Sequence, residues 1–157
     1  MRLLILADGG YGKTTFLKHS AQETASTTTL YPLYVSLRDC KREDVLKNYI
    51  GERHPGLLKL PATDYKHICF FLDGLDEIGD TGNAVKQLND FSRIYQDSHI
   101  LLTCRSNAYF DQLADFSPVR LIAITEEDIE TYISKVYTNS NTPVNPAELL
   151  SSIFRVL

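Results

Sequence analysis

The sequence predicts an α/β fold, in which a mainly parallel sheet of five strands is flanked by helices. Two observations lead to this prediction. Short apolar runs of strand length alternate along the chain with segments of helical periodicity. The apolar runs are also nearly continuous, as in parallel strands that are buried on both faces. Parallel strands need crossover connections, which we expect to be right-handed.

The first predicted strand is Leu3–Leu6, followed by a glycine-rich turn. A helix then runs over about Lys13–Gln22, with Phe16 and Leu17 facing inward. The second strand, Thr28–Leu37, has a proline near its start, which favours an edge position in the sheet.

A short helix and a buried strand come next. The helix, Asp44–Ile50, has four apolar residues along one face, and Gly51 is expected to end it. These four residues are Val45, Leu46, Tyr49 and Ile50. After an irregular segment, His67–Asp73 is predicted to form the third strand, buried on both faces.

The alternation continues with a helix over Asn83–Gln96, for which Asn83 is a possible cap. Its inward-facing residues are Val85, Leu88, Phe91 and Tyr95. Strands over His99–Cys104 and Val119–Ile124 complete the predicted sheet.

The last predicted elements are helices. Thr125 is the expected cap of the first, with Asp128 at the third position of a capping box. Its buried stripe consists of Ile129, Ile133 and Val136. A second helix is expected to have Asn145 as its cap and Pro146 at its first position.

Composition excludes several classes of function. The 157 residues suffice for one domain with its own core, and no apolar run approaches the ~20 residues of a membrane span. A net charge of −4 gives no general basis for wrapping nucleic acid. The three cysteines are far apart and form no C-x-x-C pair, so we expect a reducing, cytoplasmic setting without disulfides or zinc.

The segment ADGGYGKT, residues 7–14, indicates phosphate binding. It matches the pattern G-x-x-x-x-G-K-[S/T], except that Ala7 stands at the first glycine. Because the segment follows a strand and opens a helix, its backbone N–H groups can turn inward around phosphate oxygens. Lys13 would neutralise the β- and γ-phosphates, and the Thr14 hydroxyl would bind Mg²⁺. The predicted nucleotide-binding residues are Ala7, Asp8, Gly9, Gly10, Tyr11, Gly12, Lys13, Thr14 and Thr15.

Three carboxylates lie at and just after the end of the third predicted strand, in the segment DGLDE, residues 73–77. Asp73 is placed to hold Mg²⁺, directly or through water, at the edge of the sheet where ligands bind. Asp76 and Glu77 add two more acids, and one of them could orient or deprotonate an attacking water. The sequence leaves open which of the two does so, and a solvated acidic turn is the alternative.

The fourth predicted strand ends in polar residues. Thr103 could bind the attacking water or a phosphate, and Arg105 could bind phosphate oxygens with its guanidinium fork. The alternative for Arg105 is a surface arginine after a strand. Arg38 and Asp39, after the second strand, could pair locally, and we attach no chemistry to them.

Three motifs in this order, ADGGYGKTT, CFFLDGLDEIGD and LLTCRSNAY, resemble the NACHT family of STAND phosphate-loop NTPases, the signal-transduction ATPases of NOD-like receptor type. DGLDE is the most specific part, and the resemblance covers about residues 3–137. The chain departs from the family pattern at Ala7 and at Cys104, where serine is usual. The resemblance implies a three-layer phosphate-loop NTPase fold with strand order 5-1-4-3-2.

The resemblance also implies the roles of several residues. Lys13 and Thr14 would bind phosphate and Mg²⁺, Asp73 would serve the metal, and Arg105 would be the sensor arginine. Such modules hold ADP in a closed state, exchange it for ATP and then self-associate, and slow hydrolysis resets them. Their partners are an N-terminal effector domain and a C-terminal sensor domain.

Other functional classes remain open on the sequence alone. A small-molecule kinase would need a lid with several arginines, and none follows Asp73. The LSGGQ signature of transporter ATPases is absent, whereas an AAA-type motor shares the expected topology. Intact Lys13, Thr14 and Asp73 argue against a non-catalytic module. The GTPase motif N-K-x-D is also absent, which favours ATP over GTP.

Both ends of the sequence fall inside predicted structure. Met1 stands just before a buried strand, and the final SSIFRVL lies within an apolar helical pattern. We therefore expect a piece of a longer chain, with residues 1–138 as the NTPase core and residues 139–157 as the start of a truncated helical segment.

Overall fold

The computed structural model describes residues 1–40, 45–78, 81–108 and 113–138. In these ranges the strands are β1 Arg2–Leu6, β2 Tyr31–Ser36, β3 Ile68–Asp73, β4 His99–Cys104 and β5 Ser117–Arg120. The α-helices are α1 Lys13–Thr27, α2 Leu46–Arg53, α3 Thr81–Ile94 and α4 Glu126–Thr138. Short 3-10 helices occupy Leu57–Lys59, Ala62–His67, Leu75–Glu77 and Ser106–Ala108.

The strands form one sheet in the order β2-β3-β4-β1-β5, and every neighbouring pair is parallel. Read from the other edge, this is the predicted order 5-1-4-3-2. The prediction of an α/β fold is confirmed, and so is the edge position of β2, which contains Pro32. Because all strands run the same way, their carboxyl ends lie along one edge of the sheet.

Apolar side chains cover both faces of the sheet. On one face, α2 and α3 pack against the sheet, and Phe70 of β3 lies 4.9 Å from the ring of Phe91 and 5.1 Å from that of Tyr95. On the other face, Leu17 of α1 packs against Phe71 of β3. Since Phe70 and Phe71 are adjacent and buried on opposite faces, β3 is a central strand, as its continuous apolar run predicts. The four predicted inward residues of the third helix, Val85, Leu88, Phe91 and Tyr95, are all buried.

Two helices differ from their predicted form. Helix α1 buries Leu17 and Ala21, whereas Phe16, predicted to face inward, is 43% exposed. Val45 is exposed too, because it precedes α2 instead of lying on its buried face. Gly51 does not end α2 but lies within it, packed closely against Leu58.

Other element boundaries also moved. Helix α1 continues past the predicted end at Gln22 to Thr27, and α3 begins at Thr81, so Asn83 lies inside the helix and is not its cap.

The fifth strand was predicted too late in the chain. It pairs with β1 from Ser117, opposite Leu3, to Arg120, opposite Leu6. Ile122 and Ile124, included in the prediction, lie beyond the strand and are exposed. The apolar run misled the prediction because β5 is an edge strand whose own residues are all exposed.

The chain forms two compact units, Met1–Leu121 and Ile122–Leu157. In the second unit, Thr125 caps α4 as predicted. Its hydroxyl accepts a hydrogen bond from the Asp128 N–H (3.2 Å), and its own N–H donates to the Asp128 carboxylate (2.9 Å). The expected directions of Ile133 and Val136 lie outside the described side chains, and the predicted helix at Asn145 and Pro146 lies outside the described residues. Within the described part of the chain, no helix is both long and apolar enough to cross a membrane.

Candidate functional site

The loop between β1 and α1 has the backbone shape of an anion-binding loop. Gly10 and Gly12 have φ values of +84° and +81°, which favour glycine, whereas Gly9 has no positive φ. The first helical bond runs from the Phe16 N–H to the Gly12 carbonyl, at 2.8 Å. The N–H groups at the start of α1 therefore lack helical acceptors, and they form the positive end of the helix dipole.

Ala7 replaces glycine at a position that does not require it. The residue is buried, and its backbone has no positive φ. Its N–H donates to the carbonyl of Cys104 at 3.3 Å, which extends the pairing of β1 with β4 by one residue. Ala7 therefore directly follows β1 and continues its contact with β4, and its methyl group is compatible with the loop.

Lys13 spans the loop. Its ammonium group donates hydrogen bonds to the carbonyl oxygens of Ala7 at 2.7 Å and Asp8 at 2.9 Å. These contacts hold a positive charge beside the N–H groups of the helix start, which lack helical acceptors. The combination attracts a polyanion such as a phosphate chain.

Asp73, the last residue of β3, is buried and held by two hydroxyl groups. The Thr103 hydroxyl of β4 donates to Oδ1 at 2.6 Å, and the Tyr34 hydroxyl of β2 donates to Oδ2 at 2.9 Å. Burial, and then the hydrogen bond to Asp73, raise the pKa of Tyr34, so its hydroxyl stays protonated and remains a donor. Thr103 also accepts the Gly74 N–H at 2.8 Å, which fixes the turn that follows β3.

The two acids of that turn each pair with a different arginine. Asp76 accepts the Arg105 N–H at Oδ1 and lies 3.0 Å from the Arg105 Nε through Oδ2. The Glu77 carboxylate accepts two hydrogen bonds from the Arg38 guanidinium, one from Nε at 3.0 Å and one from Nη2 at 3.2 Å. The acidic turn is thus balanced by cations from the ends of β2 and β4.

These groups line one cavity of about 290 Å³ at the carboxyl edge of the sheet. Its lining residues are Gly9, Gly10, Tyr11, Gly12, Lys13, Thr14, Asp73, Gly74, Asp76, Glu77, Thr103 and Arg105. Residues from three separate sequence motifs therefore meet at one place. Ala7, Asp8 and Thr15, also predicted as nucleotide-binding residues, are not among the lining residues.

The oxygen donors of this cavity fit Mg²⁺. The Thr14 hydroxyl and the Asp73 carboxylate belong to the same lining. No group of three or more His, Cys, Asp or Glu side chains suited to hold a metal occurs among the described residues. Mg²⁺ needs no such group, since one or two protein oxygens usually hold it together with waters and substrate phosphates.

Sequence reasoning missed two residues that contact this site, Tyr34 and Arg38. Both come from β2 or the residues after it, and β2 pairs with β3 such that Ser36 lies opposite Asp73. The usable signal was the predicted adjacency of these strands, which places polar groups at the end of β2 beside the acids after β3.

Burial also affects a thiol at this edge. The Cys104 side chain, buried at the end of β4, has its pKa raised to about 11, mainly by burial and secondly by the charge of Asp76. The thiol is therefore mostly protonated at physiological pH, which makes it a weak nucleophile.

The family model described as NACHT domain matches residues 2–140 of the chain. Among proteins with curated descriptions, none matches the chain in sequence.

Several solved structures share the fold. AMPPCP-bound DnaA from Aquifex aeolicus aligns with a TM-score of 0.59 at 16% identity, over 96% of this chain and 48% of that one. Domain III of the Thermotoga maritima replication initiation protein DnaA gives 0.53 at 18%, over 90% and 64%. The Aeropyrum pernix ORC1 protein in complex with DNA gives 0.56 at 16%, over 90% and 44%. This chain spans less than two thirds of each of these proteins, and at such identities the likeness shows the fold alone.

Proposed function

The chain belongs to the NACHT domain family, a STAND-class group of phosphate-loop NTPases, and we propose that it is the slow ATPase of a nucleotide-dependent switch. In this proposal the domain binds ATP and ADP with Mg²⁺ and hydrolyses ATP slowly. The change of nucleotide controls self-association within a longer protein that also carries an effector and a sensor domain. The observation that supports the proposal most is the single cavity in which the phosphate loop, Asp73 and the DGLDE turn meet.

Phosphate binding would use the first turn of α1. The N–H groups after Gly12 would donate to phosphate oxygens. The Lys13 ammonium would give up its hydrogen bonds to the Ala7 and Asp8 carbonyls and bind the β- and γ-phosphates instead. Thr14 and Asp73 would hold Mg²⁺, which would neutralise phosphate charge. The hydroxyls of Thr103 and Tyr34 fix the orientation of the Asp73 carboxylate.

Hydrolysis would use the opposite wall of the cavity. Asp76 and Glu77 supply the carboxylates from which one would orient the attacking water. Arg105 is half exposed and lines the same cavity, so its guanidinium would bind the γ-phosphate as the sensor arginine. The base-reading motif of GTPases is absent from the sequence, which favours ATP over GTP as the substrate.

Three measurements on the purified chain test the proposal. Calorimetry should show binding of ATP and of ADP that depends on Mg²⁺. Phosphate release should proceed without any acceptor, at a slow rate. Light scattering should show larger particles with a non-hydrolysable ATP analogue than with ADP.

Each measurement can also contradict the proposal. Absence of nucleotide binding would overturn it entirely, and transfer that required a small-molecule acceptor would favour a kinase. If particle size is the same with the ATP analogue as with ADP, both for this chain and for the longer protein, nucleotide-controlled self-association is contradicted.

A further inference from the structure

The two carboxylates of the DGLDE turn, Asp76 and Glu77, are placed differently although they are adjacent. The Asp76 side chain is 9% exposed and that of Glu77 is 29% exposed, and both line the cavity. Each pairs with one arginine, but the two arginines come from opposite neighbours of β3 in the sheet. The two acids therefore have different tasks available to them.

Asp76 is tied to the framework of the sheet. It accepts the main-chain N–H of Arg105, the residue directly after β4, and pairs with the Nε of the same residue. The backbone bond fixes the Asp76 carboxylate relative to the end of β4. Asp76 thus joins the turn to that strand and balances the charge of Arg105.

Among the described residues, the partner that holds the Glu77 carboxylate is a side chain. Both of its oxygens accept from the guanidinium of Arg38, which is 74% exposed. A carboxylate has about four acceptor sites, and the guanidinium fork uses two of them. Asp76 keeps as many free acceptor sites as Glu77, but Glu77 is the more exposed of the two, so its free sites are more open to a water while its orientation is fixed.

Gly74 makes room for this arrangement. A Cβ atom at position 74 would lie 3.1 Å from Cδ and 3.2 Å from Oε2 of Glu77, closer than side chains normally approach. The φ of Gly74 is +87°, which also favours glycine. The Glu77 carboxyl group thus folds back over the turn, between Gly74 on one side and Arg38 on the other.

We propose that Glu77, and not Asp76, is the carboxylate that activates the attacking water, and that Arg38 is its positioning residue. This inference rests on the proposed ATPase function. The water oxygen would bond to the γ-phosphorus while the bond from that phosphorus to the β-bridging oxygen breaks. The electron pair of that bond leaves on ADP, and the water proton passes to Glu77 and then to the released phosphate.

The Arg38–Glu77 pair is too exposed to be explained by the stability of the fold. Ion pairs between exposed side chains contribute little to stability, because solvent screens them and both side chains lose freedom. Removal of the Arg38 side chain should therefore leave the chain folded, and its effect on turnover can be measured cleanly.

The test compares ATP turnover and ATP affinity in Arg38→Ala, Glu77→Gln and the double variant. Loss of a general base lowers kcat by about 100-fold, so we expect that loss in Glu77→Gln. Arg38→Ala should lower kcat by about 10-fold, with ATP affinity unchanged, since the arginine contacts the acid and not the nucleotide. In the double variant, Arg38→Ala should add nothing further, because its effect acts through Glu77.

Two further variants exclude a structural explanation. Arg38→Lys keeps the charge and one contact, and should recover part of the lost kcat. Arg93→Ala removes another exposed arginine, which pairs with Asp90 on α3, and should leave kcat unchanged. Urea unfolding of each variant checks that the fold is retained.

The outcomes separate the two proposals. A wild-type chain that neither binds nor hydrolyses ATP overturns the proposed function together with this inference. Normal turnover in Arg38→Ala, or multiplying effects in the double variant, overturns the inference and leaves the ATPase intact. A larger loss of kcat in Asp76→Asn than in Glu77→Gln would assign the water to Asp76 and also overturn it.

Discussion

Two cavities, one at each edge of the sheet, differ in size and in the chemistry of their walls. The cavity at the carboxyl edge measures about 290 Å³ and is lined by glycines, carboxylates, Lys13 and Arg105. A cavity at the amino edge, beside the starts of β2 and β3, measures about 580 Å³ and has mainly apolar walls, such as Leu33, Leu57 and Ile68. Under the proposed function, the chemical character of the lining, and not its volume, distinguishes the nucleotide site.

The direction of the strands explains this contrast. In a parallel sheet the loops after the strands, and the starts of the following helices, meet at the carboxyl edge. At the amino edge, the cation of Arg53 lies over the ring of Tyr49, 3.5 Å from its centre, and donates to the Tyr49 carbonyl. That charge is engaged in packing, whereas Lys13 at the other edge lies beside N–H groups that lack helical acceptors.

The strongest test of the contrast is the removal of one lysine from each edge. Hydrogen bonds to charged groups contribute about 1.5–3 kcal/mol, and Lys13 would bind two phosphates, so Lys13→Ala should weaken ATP binding by about 100-fold or more. Lys59, whose neighbour Leu60 lines the amino-edge cavity, supplies the control. Lys59→Ala should leave the affinity unchanged by calorimetry. Equal, tight binding by both variants would remove the phosphate-loop assignment.

Two thiols, one near each edge, test whether burial or nearby charge has the larger effect on a cysteine pKa. Cys69 lies near the start of β3 and Cys104 at the end of β4, and burial raises the pKa of each from 9.0 to about 11. At pH 8 both should react with iodoacetamide about 100-fold more slowly than in the unfolded chain, as peptide mass spectrometry would show. The rates should rise with pH up to about 11.

The raised pKa values of these thiols also predict how stability changes with pH. Because the folded thiols have the higher pKa, their contribution to stability is complete below pH 9 and is lost as the pH rises from 9 to 11. Fast reaction of Cys104 alone at pH 8 would mean that the positive groups of the site outweigh burial at the carboxyl edge.

Hydrogen bonding at the two edges is compared by two threonine substitutions. Thr103 is fully buried, and Thr103→Val would leave the Gly74 N–H without its acceptor, which costs about 1–3 kcal/mol. The exposed Thr63, near the amino edge, donates a hydrogen bond to the neighbouring Asp64, and Thr63→Val should change stability by less than about 0.5 kcal/mol. Urea unfolding measures both values. A similar cost for the two would show that the Thr103 bonds are not structural.

The smallest effect is expected at Arg53. Its contact with the ring of Tyr49 is of a kind that contributes about 0.5–1 kcal/mol, so Arg53→Ala should lower the free energy of unfolding by no more than that. ATP affinity should stay within about twofold of wild type, which is close to the precision of calorimetry. A tenfold loss of affinity would contradict the separation of the two edges.

The sequence was sufficient for the fold and for most residues that line the cavity, but not for Gly74 or for the contacts of Tyr34 and Arg38. Continuous apolar runs identify β3 and β4 as central, and the proline of β2 indicates an edge, because these signals depend on burial and backbone chemistry alone. The phosphate loop was readable because its spacing follows from backbone geometry. The tolerance for Ala7 could be explained only from the structure, which shows that its φ is not positive and that its N–H bonds to the Cys104 carbonyl.

The contacts within the site could not be read from the sequence. Arg38 and Glu77 are 39 residues apart, and so are Tyr34 and Asp73. Whether such side chains meet depends on strand register and on the path of the turn after β3, which Gly74 determines. The error at β5 has a related cause, since the apolar run that ends at Ile124 gave no sign that pairing stops at Arg120.

Amide hydrogen exchange with and without ATP and Mg²⁺ tests the location of the site most directly. We expect slower exchange at residues 9–15, 73–77 and 103–105, with no change at residues 54–68 around the amino-edge cavity. The Lys13→Ala variant should lose this protection at the same nucleotide concentration. Protection confined to residues 54–68, or protection that persists in Lys13→Ala, would contradict a nucleotide site at the carboxyl edge.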